Sequence, residues 1–314
     1  MVPQYSLGRE GSVDEIDLQE LLGVLWRGKK WILTLASIAA LVSVLSALGL
    51  PNIYVSQALL APKVDGGSSG LGRLASQYGS LAGLAGVNLA ASGDGSKVFL
   101  AQEKLRSLSF FSENLYEEIV LELMAADYWD SKTGELILDP QVYDIESKSW
   151  VRDVSPPRKP KPTHQEAHRA FLELISISID QSTGFATLSI KHKSPFVAQS
   201  WVSLVIDRIN REIREKDVSE AKASIRFLEA QRELTSLVSL DEVFAQLIEE
   251  QTKTIMLANV SGEYVFEVID PPVVPEVKSE PNRALFCVLG TLLGCLGGII
   301  FVFIAHYKFA LFDE

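Results

Sequence analysis

Two uncharged apolar runs, 31–50 and 284–305, constrain this chain more than any other feature. Each holds about 20 residues, and at 1.5 Å rise per residue such a helix covers the ~30 Å hydrocarbon core of a bilayer. Both therefore read as spanning helices, and they account for the chain's high apolar content of 47%. Arg27, Lys29 and Lys30 flank the first run, while His306 and Lys308 follow the second. Cations resist translocation, so both ends are expected in the cytoplasm and the intervening 51–283 outside. The first run reads as a span rather than a cleaved secretory signal, because it is long for a signal core and 30 residues precede it.

The working part of the molecule is then 51–283, between short tails at 1–30 and 306–314. No GxxxxGK[ST] phosphate loop occurs in the sequence, which excludes a fused ATPase or tyrosine kinase of that type. A formal charge of −11 disfavours nucleic acid as a partner, since phosphate neutralisation needs a basic face. The two cysteines, Cys287 and Cys295, lie eight residues apart on one predicted helix, too far to bridge each other. The external part has no disulfide to rely on.

Residues 53–60 read as a strand leaving the membrane, and 65–95, rich in Gly, Ser, Ala and Leu, as a flexible external loop. Helices are expected from Ser96 through Leu108 and from Ser112 through Leu123. Residues 128–162 read as turn-rich, ending in the stiff basic connector 156–162. Thr163 and Glu166 have capping-box spacing for a helix to Leu174. Ile175, Ile177 and Ile179 then alternate with polar residues, and a turn at 181–184 leads into a second alternating run, which predicts a hairpin with one buried face.

Ser194 followed by Pro195 opens the longest predicted helix, because proline at the first helical position has no hydrogen bond to lose. Apolar residues from Val202 to Leu228 recur every three or four positions, and no proline or glycine interrupts 196–260. A turn at 236–240 and a returning helix at 241–257 complete a helical arm. Residues 264–269 predict a strand that brings the chain back. Pro271, Pro272, Pro275 and Pro281 make the approach to the second span extended and semi-rigid. The pattern is an α+β fold carried between two spans.

No catalytic constellation stands out. His164 and His168 are spaced i and i+4, which can present a metal pair, yet no third ligand is identifiable and exposed histidines are the simpler reading. No cofactor or metal is expected. In the spans, Gly290, Gly294 and Gly298 form overlapping GxxxG steps, and Ala39, Ser43 and Ala47 form a small-residue ladder; both predict close helix packing, within one chain or between subunits.

Together these residues resemble a family. Residues 15–22 (Glu-Ile-Asp-Leu-Gln-Glu-Leu-Leu), followed by Leu25-Trp26-Arg27, resemble the N-terminal signature of Wzz-type chain-length determinants, the class 1 polysaccharide co-polymerases. Residues 52–58 are similar to the family's first periplasmic strand, Ser194-Pro195 with Ala198 and Trp201 to the start of its long helix, and 271–281 to its proline-rich motif. The resemblance implies a bacterial Gram-negative inner-membrane protein with both termini cytoplasmic. It implies a periplasmic α/β base at 51–193 and 259–283 with a long protruding helical arm at 194–258. Homo-oligomers, a Wzy-type polymerase, undecaprenyl-linked glycan and membrane lipid are the implied partners. The implied function is non-enzymatic control of the modal length of O-antigen or a related surface polysaccharide. An envelope export adaptor and a two-span ligand-binding receptor are the competing classes, and the short tails argue against the receptor.

Overall fold

The computed structural model describes residues 18–63, 95–234, 238–260 and 262–310. The expected loop at 65–95 lies almost entirely outside them, as do positions 236 and 237 of the expected turn at 236–240. The described chain divides into two compact units, one formed by the terminal helices and one by residues 52–280.

In the first unit, α1 (Leu18–Gly49) and α8 (Arg283–Ala310) lie against each other. Both are long and apolar enough to cross a membrane. Neither behaves as the core helix of a water-soluble protein, since Leu33 is 68% exposed and Leu293 also 68%. Apolar surface on that scale needs a solvent other than water.

The second unit is built on a four-stranded antiparallel sheet of order β6–β7–β1–β8. β1 (Tyr54–Pro62) pairs on one side with β7 (Ala186–His192) and on the other with β8 (Phe266–Asp270), and β6 (Ile175–Ile179) forms the outer edge beside β7. Alternation along these strands decides the layering. Ala58, Leu60, Ile177, Ala186, Leu188 and Ile190 are buried on one face, whereas Gln57, Ser176 and Ser178 lie exposed on the other.

Helices cover the buried face. They are α2 (Gly95–Leu105), α3 (Leu108–Asn114), α4 (Tyr116–Ala125), α5 (His164–Leu174) and the first half of α6 (Pro195–Leu234). Phe110, Phe111, Phe171, Trp201, Val202 and Ile209 meet the sheet in a single core. The segment expected as one helix from Ser112 is broken: Ser107 caps α3 by accepting the Phe110 N–H, and the chain restarts at Tyr116. Phe110 and Phe111, both in α3, are fully buried in the core.

α6 has 40 residues, about 60 Å of helix. Its buried positions run from Pro195 to Ile213 and then thin to Ala221, so its second half leaves the sheet behind and packs with α7 (Val238–Val260). α7 starts at Val238, inside the expected turn at 236–240 and ahead of the expected helix start at 241.

The segment 128–162 is rich in turns, with short strands between them. It holds two small hairpins, β2 (Ala126–Trp129) with β3 (Leu136–Leu138), and β4 (Tyr143–Asp144) with β5 (Ser149–Trp150). The connector at 156–162 is held through its own backbone. Arg152 donates to the carbonyls of Lys159 and Pro160 and forks onto Glu166 at 2.7 and 3.0 Å, winding the segment around one guanidinium.

Candidate functional site

Sequence reasoning singled out two clusters, the small residues of the spans and the proline segment. In the first, the ladders face each other within one chain. A Cβ added at Gly290 would overlap the Ser43 side chain, one at Gly294 would overlap the Ala39 Cβ, and one at Gly298 would lie 2.9 Å from the Ile32 Cα. The seam continues to Gly28, against which Val302 packs so closely that no side chain fits. Ala47 is fully buried near the other end. Ser43 Oγ donates to the Phe286 carbonyl at 2.7 Å across the seam. Gly28 and Val302 carried no signal in the sequence: Val302 continues the four-residue step from Gly298 but is not a small residue, and Gly28 lies off the step of Ala39, Ser43 and Ala47.

The proline segment belongs to the sheet unit up to Glu280. β8 pairs with β1 only over Leu59–Pro62, and the register slips between Leu59 and Leu60. Beyond that point Pro271 and Pro272 have no N–H to donate, so the ladder cannot continue. Other groups replace it. Ser56, buried in β1, donates its hydroxyl to the Val273 carbonyl at 2.8 Å, and Gln199 of α6 donates to the Pro272 carbonyl at 3.3 Å. A reciprocal pair, Ile53 N–H to Glu280 carbonyl and Ser279 N–H to Ile53 carbonyl, both 2.9 Å, closes the segment against the start of β1. Lys191 adds an ion pair to Glu280 at 2.5 Å. Pro275 falls within this held stretch, and Pro281 lies two residues before the start of α8.

The histidine pair serves structure. His164 stacks on Tyr116 with ring centroids 4.0 Å apart, while His168 Nε2 meets the Arg106 carbonyl at 2.9 Å. Glu166, between them, is held by Arg152, whose hydrogen bonds keep its carboxyl below the usual range. No group of three or more His, Cys, Asp or Glu side chains among the described residues is placed to hold a metal.

Two buried polar centres escaped sequence reasoning. Asn210 of α6 accepts the N–H groups of Tyr264, Val265 and Phe266 on its Oδ1, at 3.2, 2.8 and 2.9 Å, and donates to the Phe266 carbonyl at 3.1 Å. One amide thus receives the returning chain as it enters β8. Nearby, Tyr264 donates to Asp217 at 2.8 Å, and burial followed by that bond pushes its pKa up to about 12. The second centre is His192. Its Nδ1 accepts the Ser194 N–H at 3.0 Å, which leaves Nε2–H to face the Glu122 carbonyl at 3.3 Å. Its ring packs on Trp201, whose indole donates to Glu122 Oε2 at 2.9 Å. Burial pushes the His192 pKa down to about 4.

Paired apolar helices carrying an α+β unit define a membrane-anchored protein whose conspicuous polar clusters are built for holding the chain in place. Residues 14–122 match the family model described as "Chain length determinant protein" (Wzz), which shows the resemblance read from 15–27 and 52–58. The chain is similar to a full-length bacterial polysaccharide co-polymerase, at 15% identity over 95% of this chain and 99% of that one, with a TM-score of 0.39. It is also similar to a fragment of WzzB, polysaccharide co-polymerase from Salmonella Typhimurium, at 14% identity over 73% of this chain and 100% of that one, with a TM-score of 0.29. No curated protein matches it in sequence.

Proposed function

We propose that this protein is a non-enzymatic regulator of the modal chain length of O-antigen or a related surface polysaccharide made by a Wzy-type polymerase. The observation that carries the reading is the chain-length-determinant match over 14–122, which runs from the segment before the first apolar helix through β1 to α4. In this reading α1 and α8 lie in the inner membrane of a Gram-negative cell, with 1–30 and 306–314 cytoplasmic and 51–283 periplasmic. Arg27, Lys29 and Lys30 at the membrane edge support that orientation. The base comprises 51–193 and 259–283, and 194–258 forms the arm.

The protein works as a homo-oligomer beside the polymerase and its undecaprenyl-linked glycan. The assembly bounds extension, and no side chain performs a chemical step. The proline segment, tied to β1 and α6, transmits the position of the base toward the second span. Deleting the coding sequence and resolving the surface polysaccharide on a gel tests this: the modal cluster of lengths disappears while polymer is still made. An unchanged ladder contradicts it.

A further inference from the structure

The two edges of the sheet are treated differently. At the β8 edge, the outward N–H groups of Phe266 and Val268 are taken by side chains, Asn210 Oδ1 at 2.9 Å and Glu263 Oε1 at 3.3 Å. At the β6 edge nothing comparable occurs among the described residues. Asp180 N–H donates to the Phe185 carbonyl at 2.8 Å, so the alternation of an antiparallel pair turns Ser178 and Ser176 toward β7 and Ile177 and Ile179 outward. The Ile175 N–H, also outward, is consumed by the Phe171 carbonyl as α5 ends. Ile177 and Ile179 therefore present two complete N–H and C=O pairs on a strand with no proline, charge or bulge, the devices that ordinarily blunt an edge.

Beside that edge lies a cleft of about 310 Å³ lined by Leu105, Arg106, Leu172, Ile175 and Ile177. Its walls are apolar, and among the described residues Arg106 is the one cation lining it. A strand laid along β6 would set alternate side chains toward this cleft, with a neighbouring carboxylate within reach of the guanidinium.

We propose that the β6 edge receives an extended segment of another protein by β-augmentation, with an apolar side chain in the Leu105–Leu172–Ile177 cleft and an acidic residue at Arg106. A second copy of this chain is the poorer occupant. Among the described residues the β8 edge is already closed by Asn210 and Glu263, so two copies meeting sheet edge to sheet edge would join β6 to β6. That makes a closed two-fold pair, and among the described residues no acidic side chain lines the cleft to answer the second copy's arginine. The interaction extends the proposed function by a partner-docking surface and is read independently of polysaccharide length.

Amide hydrogen exchange on the full-length protein in nanodiscs tests it, with a synthetic Val-Thr-Val-Glu-Val peptide, blocked at both ends, as probe. At ten times its Kd the peptide slows exchange of the Ile177 and Ile179 amides about tenfold, while the Leu188 and Ile190 amides of β7 are unchanged. Ile179→Pro removes an outward N–H without touching the β7 ladder and abolishes the slowing. Arg106→Glu keeps the fold and reverses the preference toward a peptide with Lys in place of Glu. The proposal is overturned if the two amides show no slowing up to millimolar peptide, or if they are already slow without peptide. Slowing that grows with protein concentration in the absence of peptide also overturns it and assigns the edge to a second copy.

Discussion

His192 and Asn210 show how single polar side chains are used inside an apolar core. His192 is held neutral, with its pKa at about 4 against an ordinary 6.5, because burial disfavours the imidazolium; the Lys193 cation disfavours it further and the Glu122 and Ser194 backbone contacts only partly oppose this. Between those values the unfolded chain binds a proton that the folded chain refuses, so stability is complete above pH 6.5 and falls as the pH drops. The loss is about 1.4 kcal/mol per pH unit, or about 3 kcal/mol by pH 4. Urea unfolding of the full-length protein, followed by tryptophan fluorescence from pH 7.5 to 4, checks this, and His192→Gln flattens the profile in that window. Glu166 acts lower on the scale: Arg152 depresses its pKa, so its contribution holds above its ordinary value and disappears only in stronger acid. Asn210→Ala leaves three backbone N–H groups without their acceptor and is expected to cost about 3 kcal/mol in the same assay. Neither role is visible in the sequence. Asn210 sits in a polar-looking stretch of α6, and its partners come from more than 50 residues downstream.

At the scale of elements, what could be read in advance tracks how long a pattern runs. The 40 residues of α6, the alternating Ile175, Ile177 and Ile179, and the Ser194–Pro195 start repeat their signal often enough to fix type and position. β4 and β5 hold two residues each and offer no period at all. They exist because Tyr143 packs edge-on against Trp150 at 5.3 Å and Asp144 ties its own turn through Glu146 and Ser147. Thr163 caps α5 as its spacing suggested, yet Glu166 turns to Arg152 in place of closing the box, a choice made by a residue on another segment. In the apolar pair, the glycines of α8 are spaces filled by α1, so Gly294→Leu forces the helices apart. Spin labels at W31C and F301C, positions whose rings lie 5.8 Å apart, with Cys287 and Cys295 changed to serine, report this. The dipolar broadening is strong in the parent and is lost with Gly294→Leu.

For the whole molecule, the proposed division is between anchors, a sheet-based unit and a long helical arm, with the proline segment joining the unit to the second anchor. The small-residue ladders of the spans are largely consumed by contact between α1 and α8, so association of copies is expected to fall to surfaces outside this seam. Pro275→Ala together with Pro281→Ala is expected to change the length distribution of the polysaccharide at normal protein level, since these rings restrict the approach to α8. A normal ladder would assign the prolines a connecting role only. The central claim is that this chain sets length without chemistry of its own. Reconstituting the cognate polymerase with lipid-linked repeat units, with and without the full-length protein, tests it most directly. The account predicts a broad distribution from the polymerase alone, a narrow modal one when the protein is added, and no polymer from the protein by itself. An identical distribution in both reactions, or polymer formed without the polymerase, would contradict it.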